Sequence, residues 1–89
     1  MKFTIRWIPS AERELAESWL AAPDRNAVTA AAYAIERLLE VDPLRAGESR
    51  PNGRRILLEP PLGVLFEVDS KREVVRVVKV WHFERRTSR

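Results

Sequence analysis

Cysteine is absent from this sequence, and histidine occurs once, at position 82. Without cysteine the chain has neither a disulfide framework nor a thiolate nucleophile. One histidine cannot form a metal site alone, and no group of acidic residues has ligand spacing, so we predict no metal and no cofactor. The three glycines form no phosphate-binding loop and the serines no nucleophile elbow. Acyl transfer and nucleotide hydrolysis are therefore poor fits, and we expect no small-molecule substrate.

Long apolar runs are also missing. Residues 1–7 alternate polar and apolar side chains and are followed by Pro9, so no signal peptide is predicted. No apolar stretch approaches the roughly 20 residues that cross a bilayer. We expect a soluble, cytoplasmic protein with no membrane partner.

The composition is nevertheless that of a folded protein. Apolar residues make up 45% of the 89 residues and charged residues 33%, which is enough apolar surface for a thin core. The length predicts one domain, over residues 1–84, followed by a short basic tail at residues 85–89.

Positive charge is concentrated in the second half of the chain. Residues 1–44 carry five Lys or Arg against seven Asp or Glu, whereas residues 45–89 carry eleven against six. Most of these eleven cations are arginines, whose planar guanidinium groups suit phosphate or carboxylate recognition. The alternative interpretation is a solvated sheet face.

The hydrophobic pattern predicts an α+β fold with the element order β-α-α-β-β-β. Alternation at the start indicates a strand, Ser10 and Asp24 are candidate helix caps, and Asp42-Pro43 ends the second helix. We expect a helical hairpin packed on one face of an antiparallel sheet. The predicted strands are Phe3–Trp7, Arg54–Glu59, Gly63–Val68 and Glu73–Phe83, the helices are 11–22 and 24–42, and residues 43–53 form a loop.

Three tryptophans allow two interpretations. Trp7 and Trp19 fit apolar stripes and are predicted to be core residues. Trp81 lies beside cations in the sequence, so it is either a core residue or a platform on which a base stacks.

The cations of the second half form a set that could hold a phosphodiester and offset the charge that develops during its cleavage. His82 could act as an acid or base, or could simply pack at a strand end. Since the chain offers no other nucleophile, cleavage would use the ribose 2′-OH of RNA and no metal. The set consists of Arg50, Arg54, Arg55, Arg76, Lys79, Arg85 and Arg86.

Taken together, several short segments resemble the RelE/ParE toxins of bacterial toxin–antitoxin modules. They occur in the family's order and cover nearly the whole chain. The segments are Ser10–Leu15 after the first strand, Leu38–Pro43 at the end of the second helix, a loop with Gly47, Val64–Asp69, and Val78–His82 followed by Arg85.

This resemblance implies a RelE-like fold and a toxin neutralised by an acidic antitoxin, a segment of which lies over the sheet and the helical hairpin. RelE-like members cut mRNA in the ribosome, whereas ParE-like members inhibit DNA gyrase. The type II module, the mRNA interferase activity and a part in plasmid stabilisation are all expectations from the resemblance.

Carried over by position, the ribonuclease pattern is incomplete. Arg54 and Arg85 match family cations, and His82 stands where many relatives have His or Lys. Gly63 and Ile56 stand where the family has cations, and the only tyrosine lies in the second helix rather than near the C-terminus.

Three hypotheses follow. The first is a translation-inhibiting mRNA endonuclease with Arg54, His82 and Arg85 as catalytic residues and Arg50, Arg55, Lys79 and Arg86 as RNA-binding residues. The second is a non-catalytic toxin that binds gyrase, which the glycine at position 63 favours. The third is an inactive relative that binds only an antitoxin.

Overall fold

Two helices lie on one face of a five-stranded sheet in the computed structural model, which describes residues 2–83. The α+β class and the predicted order of helices and long strands are confirmed. Neither helix among these residues is long and apolar enough to cross a membrane. The predicted basic tail, 85–89, lies outside the described residues. The elements are β1 (Thr4–Trp7), α1 (Pro9–Ala21), α2 (Arg25–Val41), β2 (Glu48–Arg50), β3 (Arg54–Glu59), β4 (Leu62–Asp69) and β5 (Val74–His82).

The two helices begin in different ways. Asp24 caps α2 as expected, because its carboxylate accepts a hydrogen bond of 3.1 Å from the Ala27 N–H. The prediction of Ser10 as the cap of α1 was wrong, since the helix begins at Pro9 with Ile8 before it. Proline suits this position because its fixed φ is helical and its missing N–H would have had no helical partner.

The sheet is mixed, so the prediction of an antiparallel sheet was wrong for one pair of strands. The strand order is β1-β5-β4-β3-β2, and β1 runs parallel to β5 while every other pair is antiparallel. The alternation of side chains with a period of two residues, which identifies a strand, is the same in parallel and antiparallel strands. Only the long connection through the helical hairpin and the β3–β4–β5 meander sets the direction of β1.

The segment predicted as a loop, residues 43–53, contains an additional strand. Here β2 pairs with β3 through a hairpin whose tight turn spans Pro51–Gly53. Gly47 precedes this hairpin with a φ of +66°, and a Cβ atom there would lie 2.0 Å from the Ile56 carbonyl oxygen. This close approach of two backbone segments requires glycine.

The core lies between the helices and the inner face of the sheet. Trp7 is half-buried beside it, and its indole Nε1 donates a 2.7 Å hydrogen bond to Glu36. Trp19 remains 39% exposed, with the Arg25 guanidinium 4.7 Å from its ring centroid, so its prediction as a core residue was wrong. The largest fully buried side chains include Phe66, Ile35, Leu39, Leu62, Val28 and Val64.

A β-bulge changes the alternation of β5. Leu65 of β4 lies opposite Lys79, but the next residue, Phe66, lies opposite Val77. Val78 is therefore the extra residue of β5. As a result, each side chain from Lys79 onward lies on the face opposite to the one that strict alternation from Val77 would give it.

Candidate nucleic-acid interface

The face of the sheet that the helices leave uncovered, called the open face below, carries most of the predicted cations. Alternation places the buried Phe66, Val75 and Val77 on the helix side, so their strand neighbours project to the open face. On this face, Arg54 and Lys79 are exposed.

One line of charged residues crosses the open face from edge to edge. The register pairs Arg6 of β1 with Arg76 of β5, and Arg76 with Glu67 of β4. It continues by pairing Glu67 with Arg54 of β3, and Arg54 with Arg50 of β2. We call these five residues, four arginines and one glutamate, the charged row. Because strands are about 4.8 Å apart, the row is about 19 Å long.

Glu67 joins the two central arginines of the charged row. Its Oε2 accepts a 3.0 Å hydrogen bond from Arg54 Nε, and its Oε1 accepts a 2.9 Å hydrogen bond from Arg76 Nη2. The bond from Arg54 is the main reason that the pKa of Glu67 lies below its ordinary value, with Arg76 adding to the effect and burial opposing it. The carboxylate is thus ionised at neutral pH and neutralises part of the row.

The β1 end of the charged row borders a groove. Arg6, Glu67 and Arg76 line it together with the turn between β4 and β5, and its volume is about 560 Å³. Within residues 2–83 the ion pairs of the groove involve Glu67 and Asp69, and none includes Arg6. Four cations against two carboxylates line the groove, which gives it a positive field. The cations are Arg6, Lys71, Arg72 and Arg76.

Along the strands, away from the charged row, the open face is less polar near the start of β4 and the end of β5. Lys79 lies opposite Leu65, and Trp81 lies opposite Gly63. The Trp81 ring covers Gly63 so closely that a Cβ atom there would lie 2.4 Å from the ring. The half-buried Trp81 therefore fills the place at which the family resemblance predicts an arginine.

Two predicted residues lie on the helix side instead. The guanidinium of Arg55 donates hydrogen bonds of 2.8 and 3.1 Å to the carbonyl oxygens of Ala46 and Gly47, so it holds the loop before β2. His82 lies opposite Leu62 and borders a pocket formed with the connection between the helices. The structure does not bring either residue to the open face.

The three predicted catalytic residues are not assembled by the described part of the chain. Arg54 pairs near one end of β4 on the open face, and His82 pairs near the other end on the helix side. Arg85 and Arg86 lie outside residues 2–83. Among those residues there is also no cluster of three His, Asp or Glu side chains that could hold a metal ion.

Sequence reasoning missed Arg6 and the involvement of Glu67. Arg6 belongs to the first half of the chain, far in sequence from the other cations. It occupies a polar position of an alternating strand, and this pattern does not indicate which residue lies beside it. Only the parallel pairing with β5 brings it beside Arg76. Arg50 was predicted, and it lies at the β2 end of the row, where it contacts Glu48 at 3.2 Å.

Comparison of the fold identifies similar solved structures. A chain of the toxin–antitoxin complex RelBE2 from Mycobacterium tuberculosis superposes with a TM-score of 0.76 at 21% identity, covering 92% of each chain. The chromosomal ParDE toxin–antitoxin system of P. aeruginosa gives 0.63 at 19% identity, covering 93% of this chain and 98% of the other. The isolated E. coli RelE toxin gives 0.62 at 18% identity, covering 94% and 87%.

The fold is therefore the one shared by RelE and ParE structures. No protein-family model and no curated protein matches the sequence. The similarity thus lies in the arrangement of helices and strands, and it includes both branches of the resemblance described above.

Proposed function

We propose that this chain is the toxin of a bacterial type II toxin–antitoxin module and that it inhibits translation by cutting mRNA on the ribosome. The fold it shares with RelE and RelBE2 structures supports the toxin role. The observation that carries the choice of RNA is the charged row, a line of four arginines on an uncovered sheet face. Such a concentration of guanidinium groups favours a phosphodiester backbone.

In this proposal the open face holds the mRNA backbone. Arg54 and Lys79 contact phosphates, and Arg50 extends the contact toward β2. The 2′-OH of the substrate attacks the adjacent phosphorus and loses its proton to water. The bond to the 5′-oxygen of the next nucleotide breaks and that oxygen takes a proton from water, so the products are a 2′,3′-cyclic phosphate and a 5′-OH. The arginines stabilise the charge that develops on the phosphate. Arg85 and Arg86 are proposed to add to this set. His82 and Arg55 are not used with Arg54, because they lie on the helix side of the sheet.

The helical hairpin supplies a surface for the proposed antitoxin. A largely apolar groove of about 530 Å³ runs between α1 and α2, and Tyr33 beside it is 68% exposed. The half-exposed Trp19 lies in the same groove. An acidic antitoxin with apolar side chains could cover this groove and neutralise the open face, which would account for inhibition of the toxin.

Two observations favour a second function, a non-catalytic ParE-like toxin that binds DNA gyrase. The Trp81 ring occupies the place of a family cation above Gly63, and His82 is separated from Arg54. A site with these features would bind a partner without cleaving RNA. The similarity to the ParDE structure is compatible with this alternative. A third outcome is an inactive relative that binds only an antitoxin.

Induced expression in a heterologous bacterium, with the 5′ ends of transcripts mapped, tests the proposal. We expect growth arrest with new cuts at fixed codon positions. Arg54→Ala should reduce cleavage on the order of a hundredfold, because a cation beside the reacting phosphate is lost. The matched control is Arg13→Ala, which removes an exposed arginine from α1 and should leave the arrest unchanged.

The other outcomes point to the alternatives. Arrest without new 5′ ends would contradict mRNA cleavage and favour gyrase, which an assay of DNA supercoiling would then examine. Absence of arrest would favour the inactive relative. A double variant, Arg54→Ala with Arg85→Ala, measures whether the residue outside the described part acts with Arg54.

A further inference from the structure

The central part of the charged row already holds an anion of the protein itself. Each oxygen of the Glu67 carboxylate accepts a hydrogen bond from a different arginine, at 3.0 Å from Arg54 and 2.9 Å from Arg76. Two guanidinium groups that flank one anion form the arrangement by which arginines also bind a phosphate. Glu67 thus occupies the position that a phosphate of a bound strand would take.

The two arginines are able to change partners. Their side chains are 45% and 57% exposed, respectively. The Glu67 side chain is 28% exposed, so water reaches these pairs mainly from the arginine side. Ion pairs with arginines this exposed contribute little net stability, because water solvates the guanidinium groups well. Each guanidinium also has five N–H donors, of which the bond to Glu67 uses one. An incoming phosphate can therefore bind the same two groups at a small cost.

Arg6 extends the same site toward the groove. It lies directly opposite Arg76 on the neighbouring strand, and like charges in this position repel each other. Glu67 binds Arg76 but lies one strand further from Arg6. A phosphate in the groove would relieve the repulsion, since both arginines line it.

We propose that Glu67 is an internal counterion that competes with the phosphates of single-stranded RNA for Arg54 and Arg76, and that Arg6 is a further phosphate-contacting residue. The inference rests on the proposed function, in which the open face binds mRNA. In the free protein Glu67 reduces the attraction of the row for polyanions in general. Only a strand that contacts several arginines at once displaces it.

Binding of a fluorescein-labelled single-stranded RNA oligonucleotide to the purified chain, followed by fluorescence anisotropy, tests the competition. Glu67→Gln should tighten binding by about fivefold or more, since a charge next to the phosphate site is removed. The matched control is Glu17→Gln on α1, which makes the same change in net charge at an exposed site in the helical layer. It should change affinity less than about twofold at physiological salt, where the Debye length is about 8 Å.

The salt dependence gives a second readout. For a single strand, the slope of log K against log salt changes by about 0.7 for each phosphate contact. Glu67→Gln should make the slope steeper, and Arg6→Ala should make it shallower by about 0.7. A DNA oligonucleotide of the same sequence should show the same gain, because the competing group is the phosphate common to both.

Equal affinities for the Glu67→Gln and Glu17→Gln variants, with the fold verified by circular dichroism, would overturn the inference. If the Gln variant does not fold, Glu67→Asp withdraws the charge by one methylene and should give a smaller gain; no gain there would also overturn it. The growth assay separates this result from the proposed function. If the wild type causes no growth arrest but Glu67→Gln still binds RNA more tightly, the inference stands and the proposed function is contradicted.

Discussion

At the scale of single residues, Glu67 shows how a cross-strand partner sets the state of a side chain. Its neighbours in the sequence are Phe66 and Val68, which give no indication of an ion pair. The pairing of three strands places Arg54 and Arg76 on either side of it. Because these hydrogen bonds favour the charged form, the pKa of Glu67 is lowered.

This lowered pKa predicts how stability depends on pH. A carboxylate whose pKa is lower in the folded state stabilises the fold above its unfolded value, which is ordinarily 4.5; that stabilisation disappears as pH falls through the lowered value. Wild type should therefore exceed Glu67→Gln by about 0.5–1 kcal/mol in the free energy of unfolding near pH 7. The difference should vanish near pH 2. Urea unfolding at both pH values measures it, and a difference that does not change with pH would contradict the ion pair.

Gly63 and Trp81 form a second pair that only the register reveals. The indole ring lies over the glycine, so the space beside the Gly63 Cα atom is already filled. This packing explains why an arginine at position 63 does not fit here unless Trp81 moves.

Gly63→Ala should therefore destabilise the protein by about 1–3 kcal/mol, as overpacking usually does. In a Trp81→Ala background the same change should cost little, because the ring that it meets has been removed. Chemical denaturation of the four proteins of this cycle measures the coupling. An equal cost in both backgrounds would mean that the ring does not restrict position 63.

At the scale of elements, α1 supplies a hydrogen-bond acceptor to β5 where the pairing of β5 with β1 ends. The pairing with β1 ends at Val77, since β1 ends at Trp7. Beyond that point the edge of β5 faces α1. There the carboxylate of Glu14 accepts a 2.8 Å hydrogen bond from the part-buried N–H of Val80. This N–H therefore has an acceptor although β1 does not pair with β5 at that point.

Glu14→Ala should cost about 1–3 kcal/mol, because the Val80 N–H loses its acceptor. Glu14→Gln retains an oxygen at the same place and should cost less than about 1 kcal/mol. The exposed Glu17, three residues further along α1, provides the control, and its replacement by alanine should change stability by about 0.5 kcal/mol or less. Hydrogen exchange of the Val80 amide reports the bond directly, and unchanged protection in the alanine variant would show that another group accepts it.

At the scale of the whole molecule, the two layers have different chemistry. The helical layer buries the core and leaves an apolar groove between α1 and α2. The open face carries the charged row and Lys79. These two surfaces can serve two partners, and the proposals above assign an antitoxin to the first and RNA to the second.

The sequence alone determined the fold class and most of the elements. Strand alternation, the helical apolar stripe, the Asp24 cap and the breaks at proline depend on neighbouring residues, so they are visible in the chain. The short strand β2 was not predicted, because its three exposed residues have no apolar pattern. The excess of arginine in the second half was visible, and with it the expectation of an anionic partner.

The tertiary structure alone decided which of those cations act together. Alternation would place Arg76 and Lys79, three residues apart, on opposite faces, and the bulge at Val78 places them on the same one. Arg54 and Arg55 were predicted together, yet they project to opposite faces, and His82 lies with Arg55 on the helix side. Register, bulges and strand direction arise from pairing between distant segments, whereas periodicity is a local property. The charged row is therefore a product of the assembled sheet.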